Sequence, residues 1–121
     1  MDEAWLRFNP RLRHPIYFHA ENPSMSTLYV TASFLVKAQG LETVLEVLTT
    51  LSETTLQEPG CLDYGYYQSL ENPLQLTSFE VWQDEEAEAL HWRTEHLQAA
   101  LRRVSGSLQG PAQVTQYRRV C

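Results

Sequence analysis

The hydrophobic pattern of this 121-residue chain changes its period several times after residue 26, and that succession restricts the folds open to it. Over residues 28–36 apolar and polar side chains alternate, which predicts a β-strand with one apolar face. Beyond Gly40 the apolar residues recur at helical spacing, so an amphipathic helix is expected to run to about Gln57. The Pro59-Gly60 pair should then end this helix, because neither residue suits a helix interior.

Two more strands, a second helix and a last strand follow. Residues 61–69 and 76–82 predict two strands, and the Leu-Glu-Asn-Pro sequence between them is typical of a turn, so they should form a hairpin. Asp84 has the side chain of a helix N-cap, and the helix that it begins is expected to be interrupted near Thr94. Residues 112–120 predict the last strand.

The order strand, helix, strand, strand, helix, strand is the split β-α-β-β-α-β arrangement of ferredoxin-like folds. The chain is therefore expected to be an α+β protein, with a four-stranded antiparallel sheet and both helices on one face. The other face would be open, and a second copy covering it would enclose a cavity between two sheets. We therefore predict a homodimer in the form of an α/β barrel.

Residues 1–26 differ from the rest of the chain. Pro10, Pro15 and Pro23 punctuate this stretch, and its aromatic residues follow no period. We expect an irregular N-terminal arm ahead of a single domain at residues 27–121. The apolar content of the arm predicts that it docks on a neighbouring surface.

Charge and composition narrow the range of partners. A formal net charge of −6 and a pI of about 5.1 argue against nucleic acid, because binding phosphates requires a basic face. No apolar run approaches the roughly 20 residues of a membrane-spanning helix, and the first residues lack the pattern of a secretion signal. The two cysteines, Cys61 and Cys121, form no disulfide-rich pattern. We therefore expect a cytoplasmic protein that acts on a small molecule.

The segment after the hairpin turn concentrates side chains that can do chemistry. Glu80 and Trp82 end a strand, and His91 and His96 lie on the next helix. Because histidine moves protons near neutral pH, His91 or His96 is expected to act as a general base, and a buried Glu80 would also accept a proton. On an unbroken helix the histidines would lie about 140° apart, which excludes a helical metal pair, although a break at Thr94 would let both point inward. Structural roles at the helix ends, or a partner arginine for Glu80, are the alternatives.

Five further residues are expected to contact a substrate. Trp82 would stack on a flat ring, Tyr64 or Tyr66 would donate a hydrogen bond to a substrate oxygen, and Thr31 and Ser33 would line the cavity. Ordinary packing is the alternative for Trp82 and the tyrosines. The sequence has no phosphate-binding glycine loop and no obvious metal-ligand spacing.

Four short segments stand in a characteristic order: Glu58-Pro-Gly-Cys-Leu-Asp-Tyr64, Phe79-Glu-Val-Trp82, Ala89-Leu-His91 and Thr94-Glu-His96. In order and spacing they resemble the antibiotic biosynthesis monooxygenase family, which includes quinol monooxygenases and polyketide-modifying oxygenases. The resemblance covers about residues 28–120 and implies a dimeric α+β barrel of ferredoxin-like subunits.

The resemblance also implies an oxygenase that works without flavin, haem or metal and uses O₂ as co-substrate. Such a mechanism requires an electron-rich substrate, such as a hydroquinone or a naphthol. A base removes a proton, the anion passes an electron to O₂, and the two radicals combine in a pocket that excludes bulk water.

Two other functions stay open from the sequence. Asp84 to Ala87 and Thr94 to His96 also resemble segments of an isomerase that processes a phosphorylated autoinducer, in which Arg93 or the Arg102-Arg103 pair would serve the phosphate. Alternatively, the chain is a dimeric barrel that only binds a small molecule, because a fold does not by itself fix an activity.

Overall fold

The computed structural model describes residues 27–121, and the predicted arm at residues 1–26 lies outside the described residues. The described part contains four strands and three α-helices: β1 (Leu28–Leu35), α1 (Leu41–Thr55), β2 (Cys61–Gln68), β3 (Gln75–Trp82), α2 (Glu85–His91), α3 (Glu95–Val104) and β4 (Gln113–Tyr117). The predicted second helix is thus two helices, separated near Thr94 as expected. In this part of the chain, no helix has the length and apolar content needed to span a membrane.

The four strands form one antiparallel sheet in the order β2-β3-β1-β4. Val30 of β1 is the register partner of Glu80 on β3 and of Gln116 on β4. On the far side of β3, Glu80 is paired with Tyr64 of β2. This strand order, with helices between β1 and β2 and between β3 and β4, is the ferredoxin-like arrangement. The predicted fold class is therefore confirmed.

The helices pack on one face of the sheet, which we call the inner face, and the hydrophobic core lies between them. Each fully buried valine or leucine there contributes about 1.5–3 kcal/mol relative to an exposed one, so this layer holds the helices on the sheet. Its members include Leu28, Val30, Leu76 and Trp82 from the strands, Val44, Leu48 and Leu51 from α1, and Leu97, Ala100 and Val104 from α3.

The inner face also carries polar side chains, whereas the cavity predicted between two sheets would lie on the other, open face. Ser78 and Glu80 are 0% and 7% exposed, and they alternate with Leu76 and Trp82, which are 1% and 0% exposed. Since alternate residues of a strand share one face, burial of the two large apolar residues carries Ser78 and Glu80 into the core with them. Any chemistry of Glu80 therefore takes place between the sheet and the helices of one chain.

A tight turn between α1 and β2 fixes the position of Glu58. The N–H of Cys61 donates to the carbonyl of Glu58 at 3.1 Å, with Pro59 second in the turn and Gly60 third, at a φ of 85°. These are the residues and the geometry of a type II turn. A Cβ on Gly60 would lie 2.6 Å from the Cβ of Ala87, so α2 packs directly on the turn and next to Glu58.

Candidate functional site

A cavity of about 70 Å³ lies between the inner face of the sheet and the helices. Its lining is mainly apolar, but the side chains of Tyr64, Tyr66, Glu80 and His91 also reach it. An apolar pocket with a few fixed polar groups is the usual composition of a small-molecule site. The cavity is therefore the candidate functional site.

The cavity approaches the surface along Trp92, Leu101 and Val114, each of which lines it and is 40% or 41% exposed. These residues come from the end of α2, from α3 and from β4, so we call the gap between those elements the mouth. An apolar cavity of about 150 Å³ holds a benzene ring, whereas this one measures about 70 Å³. An aromatic ligand therefore requires the mouth to widen.

Glu80 is the buried carboxyl group of the cavity. Its two oxygens accept hydrogen bonds from the Ser78 hydroxyl at 2.6 Å and from the Trp82 indole N–H at 3.0 Å. The Ser78 oxygen in turn accepts the backbone N–H of Ala32 at 3.0 Å. Burial raises the pKa of Glu80, outweighing the opposite effect of its two hydrogen bonds. The side chain is thus fixed in place, and its proton is held to higher pH than in water.

Replacing Glu80 with glutamine is expected to flatten the pH dependence of stability. The folded state keeps the Glu80 proton to a higher pH than the unfolded chain, whose pKa is about 4.5, so wild-type stability falls as pH rises from that value through the folded pKa. The fall is at most about 1.4 kcal/mol per pH unit. Glutamine can accept from Trp82 and donate to Ser78, so the substitution preserves both contacts.

Urea denaturation of wild type and E80Q between about pH 4.5 and 8 measures this difference. The exposed Glu42 on α1 provides the matched control, because E42Q removes a carboxyl group without removing a buried one. Stability curves for wild type and E80Q that run parallel over this range would contradict the prediction.

Tyr64 and Tyr66 place two hydroxyl groups together in the cavity. Their oxygens lie 2.9 Å apart, and Tyr64 is 4% exposed. Burial raises the pKa of both phenols, so both keep their protons at neutral pH. One hydroxyl hydrogen makes the mutual bond, which leaves the other to donate to a ligand oxygen.

His91 and His96 converge on one oxygen of Glu58. His91 Nδ1 lies 2.8 Å and His96 Nε2 lies 2.5 Å from Glu58 Oε2. The helix break makes this convergence possible: α2 ends at His91, and Thr94 begins α3 by accepting the N–H of Leu97 at 3.3 Å. The predicted break at Thr94 is confirmed, and it directs both imidazoles to the same carboxylate.

The surroundings of His91 fix the orientation of its ring. The ring centroid lies 4.9 Å from that of Trp82 and 5.2 Å from that of Tyr64, and the side chain is 3% exposed. With Nδ1 bonded to Glu58, Nε2 is the nitrogen left to accept a proton from a ligand. A carboxylate behind an imidazole orients the general base in this way in many enzymes.

Glu58, His91 and His96 also have side chains of the types that bind metals, and their donor atoms all lie within 4.8 Å of one another. Two imidazoles and one carboxylate suit zinc or iron. The ligands of one tetrahedral zinc ion lie about 3.3 Å apart, whereas the Glu58 oxygen is 2.5 Å and 2.8 Å from the two nitrogens. In the structure both nitrogens are hydrogen-bonded to this oxygen.

Three residues predicted to bind substrate are not brought to the cavity. Trp82 is completely buried behind His91, where it supports that ring and Glu80. Thr31 and Ser33 lie on the opposite face of β1, and the Ser33 hydroxyl is hydrogen-bonded to that of Thr77 at 3.1 Å. The alternation of β1 explains this placement, since Val30 and its inward neighbours fill the core.

Glu58 is the site residue that reasoning from the sequence left out. It is separated from His91 by 33 positions and from His96 by 38, and the sequence shows no link between them. The signal that could have found it is its place directly before Pro59-Gly60, because a type II turn there points its first residue back toward the packed helix.

Comparisons with known proteins agree with this fold. The sequence profile of the antibiotic biosynthesis monooxygenase family matches residues 27–103. A conserved protein from Methanosarcina mazei Go1 is 35% identical, with a TM-score of 0.79 over 87% of this chain and 100% of that one. A solved antibiotic biosynthesis monooxygenase is 28% identical, with a TM-score of 0.75 over 78% of this chain and 99% of that one. An uncharacterized Synechocystis protein, sll1783, is 25% identical over 91 residues, which are 75% of this chain but only 62% of that relative.

Proposed function

Because this chain belongs to the antibiotic biosynthesis monooxygenase family, we propose that it is a monooxygenase that uses O₂ to oxidise a small, electron-rich aromatic molecule such as a quinol or a polyketide-like phenol. The observation that carries the proposal is His91, which lines an apolar cavity while Glu58 holds its Nδ1. This arrangement supplies a base in a place without bulk water.

The reaction would begin with transfer of a substrate proton to His91 Nε2. The hydroxyl of Tyr64 or Tyr66 that does not donate in their mutual bond would donate to the resulting oxyanion, stabilising the negative charge that develops there. The anion then gives one electron to O₂, and the two radicals combine to form a carbon–oxygen bond. The hydroperoxide loses water and leaves a new carbonyl, so one O₂ converts a CH₂ group to C=O and yields one water. The substrate supplies the electrons, so the proposed reaction uses no flavin, haem or metal.

The charge of the cavity favours an oxygenase over a phosphate-handling isomerase. Within the described part of the chain, the residues that line the cavity include no lysine and no arginine. Arg102, a candidate for a phosphate site, is exposed and pairs with Glu95 at 2.9 Å. A phosphorylated substrate would thus meet an acid and two phenols in place of a cation.

Oxygen uptake tests the proposed function. Protein shown free of flavin and dialysed against EDTA is offered a panel of hydroquinones and hydroxynaphthoquinones, and we expect uptake of one O₂ per substrate consumed, unchanged by the EDTA treatment. Rearrangement of a substrate without O₂ uptake would support the isomerase, and binding without any turnover would support the binding barrel. Loss of activity on EDTA treatment, restored by one metal, would overturn cofactor independence.

The proposal places this reaction in the cytoplasm and in a homodimer. The family resemblance supports the second copy, and the acidic composition without a disulfide-rich pattern supports the compartment. Sedimentation of the full chain tests the dimer, which would have twice the 14.0 kDa of one copy.

A further inference from the structure

Glu58 joins two imidazoles that differ in their access to solvent. The His91 side chain is 3% exposed and lines the cavity, whereas the His96 side chain is 29% exposed. Both contact the same carboxylate oxygen. One carboxylate neutralises one imidazolium, and two positive rings with nitrogens within 4.8 Å of each other would repel. One carboxylate oxygen therefore serves both rings.

We propose that Glu58 makes His91 and His96 share a single positive charge. His96 then acts as a proton counterweight, which means that it releases a proton when the base His91 gains one and takes one up when His91 loses it. At rest His96 carries the charge beside Glu58, and His91 is neutral, with its Nδ1–H donated to Glu58 and its Nε2 free. When the substrate O–H bond breaks and His91 Nε2–H forms, His96 releases one proton to water. When the peroxide takes its proton from His91, His96 regains one from solvent, so the charge of the three groups stays constant through the reaction.

This role rests on the proposed function, and the groups around His91 are compatible with it. Tyr64 on β2 and Glu80 on β3 face the ring, and burial raises the pKa of both, which reduces the negative charge that they present. On its own helix, Glu88 accepts hydrogen bonds from the Trp92 indole at 2.6 Å and from Gln116 at 3.2 Å. Glu58 is thus the carboxylate in direct contact with the ring nitrogen of His91.

The surroundings of His96 differ in a way that suits proton release. His96 lies in a surface hollow shared with Arg103 of α3 and with the α1 residues Thr50 and Thr54. Arg103 is a cation, whereas Glu58, on the inner side of the ring, is an anion. His96 is therefore placed between an anion inside and a cation outside, at the border of the solvent.

Nitrogen-15 NMR of the imidazoles tests the shared charge without any turnover. In the substrate-free full chain, assigned with H91N and H96Q, we expect the first proton to enter at His96 as pH falls, while His91 keeps Nδ1–H and a bare Nε2. In E58Q, which keeps an acceptor oxygen but loses the charge, the two rings are expected to titrate independently. First protonation at His91, or independent titration in wild type, would overturn the proposal.

Two substitutions of His96 separate a counterweight from a structural role in the rate of oxygen uptake. H96Q leaves His91 as the sole cationic partner of Glu58, so the acid limb should move to higher pH, with about a tenfold loss of rate on that limb and a smaller loss on the plateau than in H96K. H96K keeps a positive charge at this position, but the lysine does not release its proton during the reaction. The acid limb should therefore stay at the wild-type pH, while the rate on the plateau falls. An equal fall of both variants at every pH would refute the counterweight.

These readouts distinguish failure of the counterweight from failure of the oxygenase. If wild type takes up no O₂ on any substrate, the proposed function fails, but the NMR titration still decides whether His91 and His96 share a charge. If wild type is active and the two His96 variants fall equally, the oxygenase stands and the shared charge does not.

Discussion

Replacement of His91 with asparagine is expected to reduce substrate-dependent oxygen uptake by about 10²- to 10⁴-fold, the usual contribution of a general base. The asparagine amide can occupy the place of Nδ1 and still donate to Glu58, but it offers no group at the position of Nε2. Ring packing against Trp82 and Tyr64 is reduced at the same time, so folding must be checked by circular dichroism and thermal melting.

The matched control for H91N is L90N. Leu90 is the preceding residue of α2 and is 51% exposed, so this variant introduces the same residue into the same helix without touching the cavity. We expect L90N to keep the wild-type rate, measured with an oxygen electrode at saturating substrate. An H91N rate within about threefold of L90N, well short of the expected loss, would remove His91 from the chemistry.

The second large effect is expected from Trp82, and it concerns stability. W82A should lower the free energy of unfolding by about 3–5 kcal/mol, because it opens a void in the core and leaves Oε1 of Glu80 without its donor. Trp82 is 0% exposed, donates to Glu80 at 3.0 Å and packs on His91. Urea denaturation followed by circular dichroism measures the change.

Two companion variants keep the Trp82 prediction testable if W82A fails to fold. W82F retains a ring but removes the N–H, and we expect it to cost about 1–3 kcal/mol. W92A removes a tryptophan that is 40% exposed, so it should cost less than half as much as W82A. Equal losses for W82A and W92A would show that the depth of burial of Trp82 does not determine its contribution.

Much of this fold could be predicted because its signals are local. The spacing of apolar residues indicated the helices and strands. Asp84 accepts the N–H of Ala87, as an N-cap should, and Thr94 is the N-cap of α3. Alternation, capping and turn chemistry act over a few residues, so they can be recognised without knowledge of the packing. The fold class followed from the order of the elements alone.

The position of the site could not be predicted to the same degree, since it depends on which face of β3 turns inward. A strand that contains Ser78 and Glu80 on one side would ordinarily present that side to water. Leu76 and Trp82 share the side and are the larger apolar residues, so they decide the outcome. Likewise, Glu58 contacts His96, 38 positions further along the chain, because α2 packs on the Gly60 turn. No local sequence pattern predicts that packing.

The polar groups of the cavity and the residues at its mouth come largely from different elements of the chain. Most polar groups of the site stand on the turn at Glu58, on β2, on β3 and at the end of α2. Leu101 and Val114 at the mouth belong to α3 and β4, and His96 shares α3 with Leu101. Side chains at the mouth can therefore change without moving the acid, the phenols or the imidazoles. On the proposed function, substitutions at Leu101 and Val114 would change which molecules enter the cavity without replacing the groups that carry out the reaction.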